Sequence, residues 1–459
     1  MDTLRSLVPH VMVDFMQMKT FAEDPLILTE GDGIWVTDVD GKRYIDGISG
    51  TFCLSLGHGN SAIIEAAQKQ MRRLVMAAPT MATSDRHLEL AKALMDITPP
   101  QYTKMKILSG GSEVVEAAIK MARQYHKQTG APTKYKVLSH YQAYHGVTGF
   151  ALAASGFANS RVPYEPLPAG FIHLPTPDVY QPAFPVAAER LAEAYADWVE
   201  QVIRLEGPDT IAAFITEPVL MAAGVIVPPV DYLRRIRALC DKYNIVLIFD
   251  EIITGFGRVG AMFASELWDI WPDLLLVGKG ISGAYAPLSA VLITDRIGQT
   301  FWGELEDDVH FIAGHTFGAN PVACAVGIAT IDQLRDGAIA RNAAARGDQA
   351  RDRLRKLQLR LPVIGDVRGI GLLVGIEFVR DPRTRERFPA EANVGVQIRE
   401  VARKRGLLLR ASHWMAVIAP PLTTTESEMD QILDVYEAAL MEVLAPLCNA
   451  AAVESVVGV

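Results

Sequence analysis

The 459-residue chain holds only four cysteines, Cys53, Cys240, Cys324 and Cys448. They lie far apart and form no Cys-x-x-Cys pair. Neither a disulfide framework nor a zinc site is expected, and a reducing cytoplasm is the setting that fits. No apolar run approaches the roughly 18–20 residues of a membrane span. The first twenty residues are interrupted by Pro9, Asp14 and Lys19 and lack the apolar centre of a secretion signal. No block of Lys and Arg stands out, and the formal net charge is −9, which argues against nucleic acid or an anionic membrane as partner. There is no internal repeat and no low-complexity stretch. What is present is ordinary globular material, 50% hydrophobic and 21% charged. The chain is long enough for about two or three domains.

The middle of the chain alternates two patterns. Short continuous apolar runs occupy 104–109, 134–139, 211–218, 244–251, 273–280 and 288–295. Helix-period segments lie between several of them, as at 113–128 and 231–244. Runs without polar alternation suit strands buried on both faces. Strands alternating with helices imply crossover units and a mostly parallel sheet, placed here at 60–315. Residues 33–50 alternate apolar and polar around Asp40-Gly41, a hairpin signal. The carboxyl-terminal part offers a strand over 369–379, a helix over 397–404, a strand-like run at 406–414 and a last helix from Thr425 and Glu426 to about Leu444. The tail 449–459 is read as partly disordered. Residues 1–59 and 316–459 are expected to combine into a smaller α+β domain. Pro175, Pro177, Pro182 and Pro185 mark an irregular excursion.

In an open parallel sheet, ligands bind beyond the carboxyl ends of the strands. Three apolar runs end there in a polar residue: Glu217, Asp250 and, after Gly278, Lys279. They are ~30 residues apart, as successive crossover units place them. Taken singly, each could be a cap or half of a structural ion pair. Together they put two acids and an amine on one rim. A lysine at an apolar strand end is partly desolvated, which lowers its pKa and favours imine chemistry. A buried Asp250 needs a cationic partner, and a protonated pyridine nitrogen is one. The stretch Ser109-Gly110-Gly111-Ser112-Glu113 joins a strand to a helix and suits a phosphate, or an ordinary cap by Ser109 or Ser112. Tyr144-His145-Gly146 follows the next strand, where an aromatic ring can lie on a flat ligand or simply pack. Gly255-Phe256-Gly257-Arg258-Val259-Gly260 fits G-x-G-x-x-G, but Asp250 to Thr254 separate it from the strand end and no acid follows the next strand, so a dehydrogenase with NAD is disfavoured.

The run Phe249-Asp250-Glu251-Ile252-Ile253-Thr254-Gly255-Phe256-Gly257-Arg258, followed by Lys279-Gly280, resembles the class III aminotransferases of pyridoxal-phosphate fold type I. The resemblance covers nearly the whole chain. It implies an α/β fold with a mostly parallel seven-stranded sheet covered by helices on both faces. It also implies pyridoxal 5′-phosphate as cofactor and a homodimer, a tetramer being left open, with active sites at the subunit interface. It further implies that Lys279 is the Schiff-base lysine and Asp250 the partner of the ring nitrogen. Ile252 and Tyr144 would take the two ring faces, and Gly110, Gly111 and Ser112 the phosphate. His145 and Glu217 would stand near the ring, and Thr316 would reach the neighbouring subunit's cofactor. Arg410 aligns with the arginine that binds the carboxylate of pyruvate or alanine in amine:pyruvate members, and a guanidinium fork suits a carboxylate. Val417 stands where glutamate-using members carry a fixed arginine. Phe52 falls in the amine pocket, and His413 and Trp414 stand where the family usually has Gly-Asp after the arginine matched by Arg410, so that Trp414 would narrow or cover the pocket. The reaction implied is amino transfer from an amine or ω-amino acid to pyruvate or a similar keto acid. Decarboxylation, racemisation and aminomutase chemistry are the alternatives on the same fold.

Overall fold

The computed structural model describes residues 2–457. Three strands open the chain: β1 (Leu28–Asp32), β2 (Trp35–Asp38) and β3 (Arg43–Asp46). The expected hairpin joins β2 and β3. Its turn is held by the Asp38 carboxylate, which accepts from the N–H groups of Asp40 and Lys42 at 3.0 and 2.9 Å.

The six central apolar runs all form strands: β4 (Tyr102–Leu108), β5 (Lys136–His140), β7 (Ile211–Thr216), β8 (Val246–Asp250), β9 (Leu274–Val277) and β10 (Ser289–Thr294). The sequence reading missed β6 (Phe171–Leu174), a four-residue strand at the sheet edge, too short to show a period. The order is β4-β10-β9-β8-β7-β5-β6, and β10 alone runs against the rest. Both faces of the central strands β7, β8 and β9 are buried, which is why those runs do not alternate. Phe214, Leu247, Phe249 and Leu275 point into one apolar cluster, with the helices Leu191–Glu206 and Tyr232–Lys242. Ala213, Ile215, Ile248 and Leu276 point into another, against the helix Gly111–Gln128.

The run expected as one strand over 369–379 is two, β11 (Ile364–Ile370) and β12 (Leu373–Asp381). The turn between them hides inside an apolar stretch. Gly371 makes it possible with φ 53°, and a Cβ there would come within 2.2 Å of the Val259 carbonyl carbon. After β13 (Glu386–Arg387), the helix Val394–Lys404 leads to β14 (Leu407–Leu408), β15 (Arg410–Ser412) and β16 (Met415–Ile418). The strand-like run at 406–414 is therefore broken at Leu409: β14 pairs parallel with β3, while β15 pairs with β16 in a second sheet with β12 and β11. The last helix, Glu426–Val457, passes Leu444 and contains Pro446. Of the tail read as disordered, 449–457 is helical, and 458–459 lies outside the described residues. The helix Pro321–Leu334, beyond the boundary expected at 315, adds Ala323, Val326 and Leu334 to the larger sheet's core. Among the described residues no helix is long and apolar enough to cross a membrane.

Candidate active site

The carboxyl ends of β4, β5, β7, β8 and β9 open on one rim. Asp250 closes β8, opposite Leu276 of β9, Glu217 follows β7 directly, and Lys279 lies two residues past β9. Lys279 is held in the left-handed region at φ 44°, an uncommon conformation for a residue with a side chain. The glycines beside it are there for space. A Cβ on Gly280 would lie 2.9 Å from Phe256 Cβ, and one on Gly278 would lie 3.2 Å from Ile252 Cγ2. Among the described residues no carboxylate is within ion-pair distance of the Lys279 ammonium. It stands 5.5 Å from the centre of the Phe52 ring. Burial lowers its pKa to about 8, against the raising effect of Cys53, Asp250 and Glu217.

Asp250 is buried. One carboxylate oxygen accepts from the Ile252 N–H at 3.2 Å, and the other faces His145 Nδ1 at 2.8 Å. With an ionised Asp250, Nδ1 carries the proton and donates it to the carboxylate. His145 Nε2 is buried with no partner. The sequence brought His145 to the rim but not to Asp250. The two are 105 residues apart, and only their strands' adjacency to β7 joins them. Glu217 accepts from the N–H groups of Tyr144 (3.0 Å) and Met221 (3.1 Å). Two donors favour the anion, but burial outweighs them and raises its pKa to about 7.

At the end of β4, the cap of the helix Gly111–Gln128 is Gly110, not Ser109 or Ser112. Glu113 Oε2 accepts from the N–H groups of Ser109 and Gly110. The first two helical N–H groups, of Gly111 and Ser112, keep no acceptor among the described residues. Ser112 Oγ instead accepts from the Val147 N–H at 3.1 Å, next to Gly146. A Cβ on Gly111 would lie 3.2 Å from Ile252 Cδ1, so the Ile252 side chain lies between this turn and Gly278. A pair of unused N–H groups at a helix start, an unpaired amine and a buried carboxylate fit a flat cation-bearing ring with an anionic tail.

Arg410 opens β15 opposite Val417, which is fully buried. Its guanidinium is partly buried, makes no hydrogen bond or ion pair among the described residues, and lies 5.8 Å from the Phe52 ring. Burial lowers its pKa. Tyr144 is partly buried, and burial raises its phenol. Trp414 shares an apolar cluster with Phe52. It sits in the β15–β16 turn with its indole under the Arg387 guanidinium at 3.8 Å, packed beside Gly224. Thr316 is exposed, next to His315, whose ring nitrogen lies 3.6 Å from Glu113 at the helix start. The glycine run 255–260 opens no helix, since the next one, Ala264–Trp268, starts four residues later. Among the described residues no cluster of His, Cys, Asp or Glu is arranged to hold a metal ion.

A profile of the class III aminotransferases matches residues 18–440. The adenosylmethionine-8-amino-7-oxononanoate aminotransferase of Geobacter sulfurreducens is 35% identical over 432 residues, 93% of this chain and 95% of its own length. Among solved structures, a thermostable (S)-enantioselective omega-transaminase from Thermomicrobium roseum superposes with a TM-score of 0.92 at 38% identity, covering 96% of this chain and 98% of its own. An amine transaminase from an uncultivated Pseudomonas species, in its PLP-bound form, gives 0.90 at 34% identity over 95% and 98%. With an acid, an amine and an open helix start on one rim of a seven-stranded α/β sheet, the chain belongs to the class III aminotransferases, pyridoxal-phosphate-dependent transaminases of fold type I.

Proposed function

We propose that this aminotransferase moves an amino group from an amine or ω-amino acid to pyruvate, with Lys279 as proton carrier and Arg410 as the anchor of the keto acid. The observation that carries the reading is the pair of cations on one ring. Lys279 and Arg410 both stand against Phe52, at 5.5 and 5.8 Å, and among the described residues neither has a carboxylate within ion-pair distance.

Pyridoxal phosphate, when bound, supplies an electron sink for the charge left on the substrate carbon once its proton is removed. Gly110, Gly111 and Ser112 would hold its phosphate, Asp250 its ring nitrogen, and Ile252 and Tyr144 its two faces. Thr316 of a second copy would complete the phosphate site. His145 donates to Asp250 and keeps that carboxylate aimed. Glu217 fixes the backbone of Tyr144 and Met221. Lys279 Nζ takes the proton from the substrate carbon and returns it on the other side of the reaction. With a pKa of about 8, roughly a tenth of the free amine is neutral at pH 7, against a few parts in ten thousand for an ordinary lysine. Arg410 binds the keto-acid carboxylate by its two-pronged fork. It has no buried ion pair to break first, so it can turn away when an uncharged amine enters. Val417, at the place of a second arginine, argues for a short keto acid with one carboxylate.

A homodimer is part of this reading. Met12, Met81, Trp302, Leu305, Ile312 and Phe317 are each at least 65% exposed, more large apolar surface than a monomer leaves to water. Four free cysteines suit a cytoplasmic enzyme.

The test is an amine panel with pyruvate or 2-oxoglutarate as acceptor. Cofactor absorbance that bleaches with amine and returns with pyruvate, with alanine formed, supports the reading and names the donor. Glutamate formed in preference to alanine overturns the assignment of Arg410 and Val417.

A further inference from the structure

The glycine run 255–260 has no part in the chemistry above, yet it carries the largest fully buried side chain among the described residues. Arg258 is 1% exposed. No carboxylate pairs with it. Nη1 donates to the carbonyls of Pro420 (2.7 Å) and Leu372 (3.2 Å), Nη2 donates to Ser49 Oγ (3.0 Å), and Nε has no partner. A guanidinium buried among neutral acceptors is costly, and burial lowers its pKa to about 10.

What it grips is a strained turn. Ser49, Gly50 and Phe52 all have positive φ, at 49°, 66° and 60°. Ser49 Oγ donates onward to the Ala419 carbonyl at 2.5 Å. From the other side, the Asp46 carboxylate accepts from the Gly50 N–H at 2.6 Å and the Ile48 N–H at 3.2 Å. The turn thus hangs between Arg258 and Asp46, and it delivers Phe52 to its place between Lys279 and Arg410. The glycines serve the same end by letting the chain come close. A Cβ on Gly257 would lie 3.1 Å from Leu422 Cδ1, and φ is 92° there.

We infer that Arg258 is a positioning residue of the amine pocket: through Ser49 it fixes the 46–52 turn, and with it the Phe52 ring that limits the size of the amine. This rests on reading Phe52 and Arg410 as pocket residues.

The experiment uses Arg258→Lys and Ser49→Ala, each alone and in a Phe52→Ala background. Ser49→Ala removes the link without unburying a charge, so it carries the test where an Arg258 variant folds poorly. Two readouts are taken. One is the ratio of kcat/KM for a bulky arylalkyl amine to that for a small aliphatic amine, at saturating pyruvate. The other is amide hydrogen exchange of residues 46–52 in the cofactor-free protein. The expected result is a shift of roughly three- to ten-fold in the ratio for Ser49→Ala, with no further shift in the Phe52→Ala background. Arg258→Lys, which keeps the charge and part of the donor set, shifts it less. Exchange of the turn quickens while the strands of the seven-stranded sheet stay protected. A fall in kcat that is equal for both amines, or a shift that persists without Phe52, overturns the inference. If Phe52→Ala alone leaves the ratio unchanged, the pocket reading has failed and takes the inference with it. If Phe52→Ala changes the ratio and the other two variants do not, only the inference is lost.

Discussion

The seven-stranded sheet has two rims, and they treat buried charge in opposite ways. At the amino-terminal rim, Lys134 is 3% exposed and its ammonium donates to three carbonyls, those of Pro208, Ile211 and Tyr243, at 2.9, 3.1 and 2.9 Å. Asp273 there accepts from the Leu247 N–H (2.8 Å), Arg237 (3.1 Å) and Arg296 (2.7 Å). Both of these charges are saturated. At the carboxyl rim, Lys279 and Arg410 have no acid within reach, and Glu217 is pushed up to about 7. The same fold that satisfies charge where it only holds the sheet leaves it unsatisfied where a ligand is to complete it. Charges at the first rim should therefore matter for stability and those at the second for turnover.

Lys279→Ala gives the largest expected effect. Turnover should fall by roughly 10³-fold or more, while the melting temperature of the cofactor-free protein stays within a few degrees. Single-turnover kinetics beside a thermal melt would show it, and a variant that melts early instead would break the contrast between the rims. Asp273→Ala should do the reverse. Arg296 would lose its acid, Arg237 would keep only Asp241, and the Leu247 N–H would lose its acceptor, which together should cost about 1–3 kcal/mol in chemical unfolding, with kcat/KM per folded molecule unchanged. Glu217 sharpens the comparison through pH. Its carboxyl titrates near 4.5 unfolded and about 7 folded, so the unfolded chain loses the proton first. The stabilisation it lends is full below about 4.5 and lost as pH rises through about 7. Glu217→Gln should flatten that part of the unfolding free-energy profile of the cofactor-free protein. The smallest effect is expected from Arg410→Leu: KM for pyruvate should rise roughly ten-fold or more, and KM for an uncharged amine should hardly change. Equal losses for both substrates would mean that Arg410 is a structural cation like those of the other rim.

The other six strands of the large sheet were readable because their runs are mostly apolar, wholly so in β9 and in all but the last residue of β7 and β8, where burial on both faces leaves no alternation. β6 was not, since four residues on an edge carry no period. The merged reading of β11 and β12 has a different cause: Gly371 turns the chain inside an apolar stretch, and its reason for being glycine, the Val259 backbone, is more than a hundred residues away. Lys279, Asp250 and Glu217 could be found because each signal is local, a polar residue at the end of an apolar run. The hydrogen bond from His145 to Asp250 and the seat of Phe52 between two cations could not, because they are facts of strand order. Arg258 was in view as part of a glycine pattern, and its role is visible only once Ser49 and Pro420 are beside it.

The pairing of β3 with β14 brings Ile45 beside Leu407. On the ribosome these partners are separated by some 360 residues of synthesis, roughly 20–70 s at ordinary elongation rates. Through that interval β3 shows an unpaired edge, and the Ser49–Phe52 turn lacks the Ala419 carbonyl that fixes it. The Ser49–Phe52 turn is thus completed only near the end of synthesis, long after the central strands can pair. A chain that stops short of β14 carries Lys279 but lacks the contacts that hold Phe52 beside it.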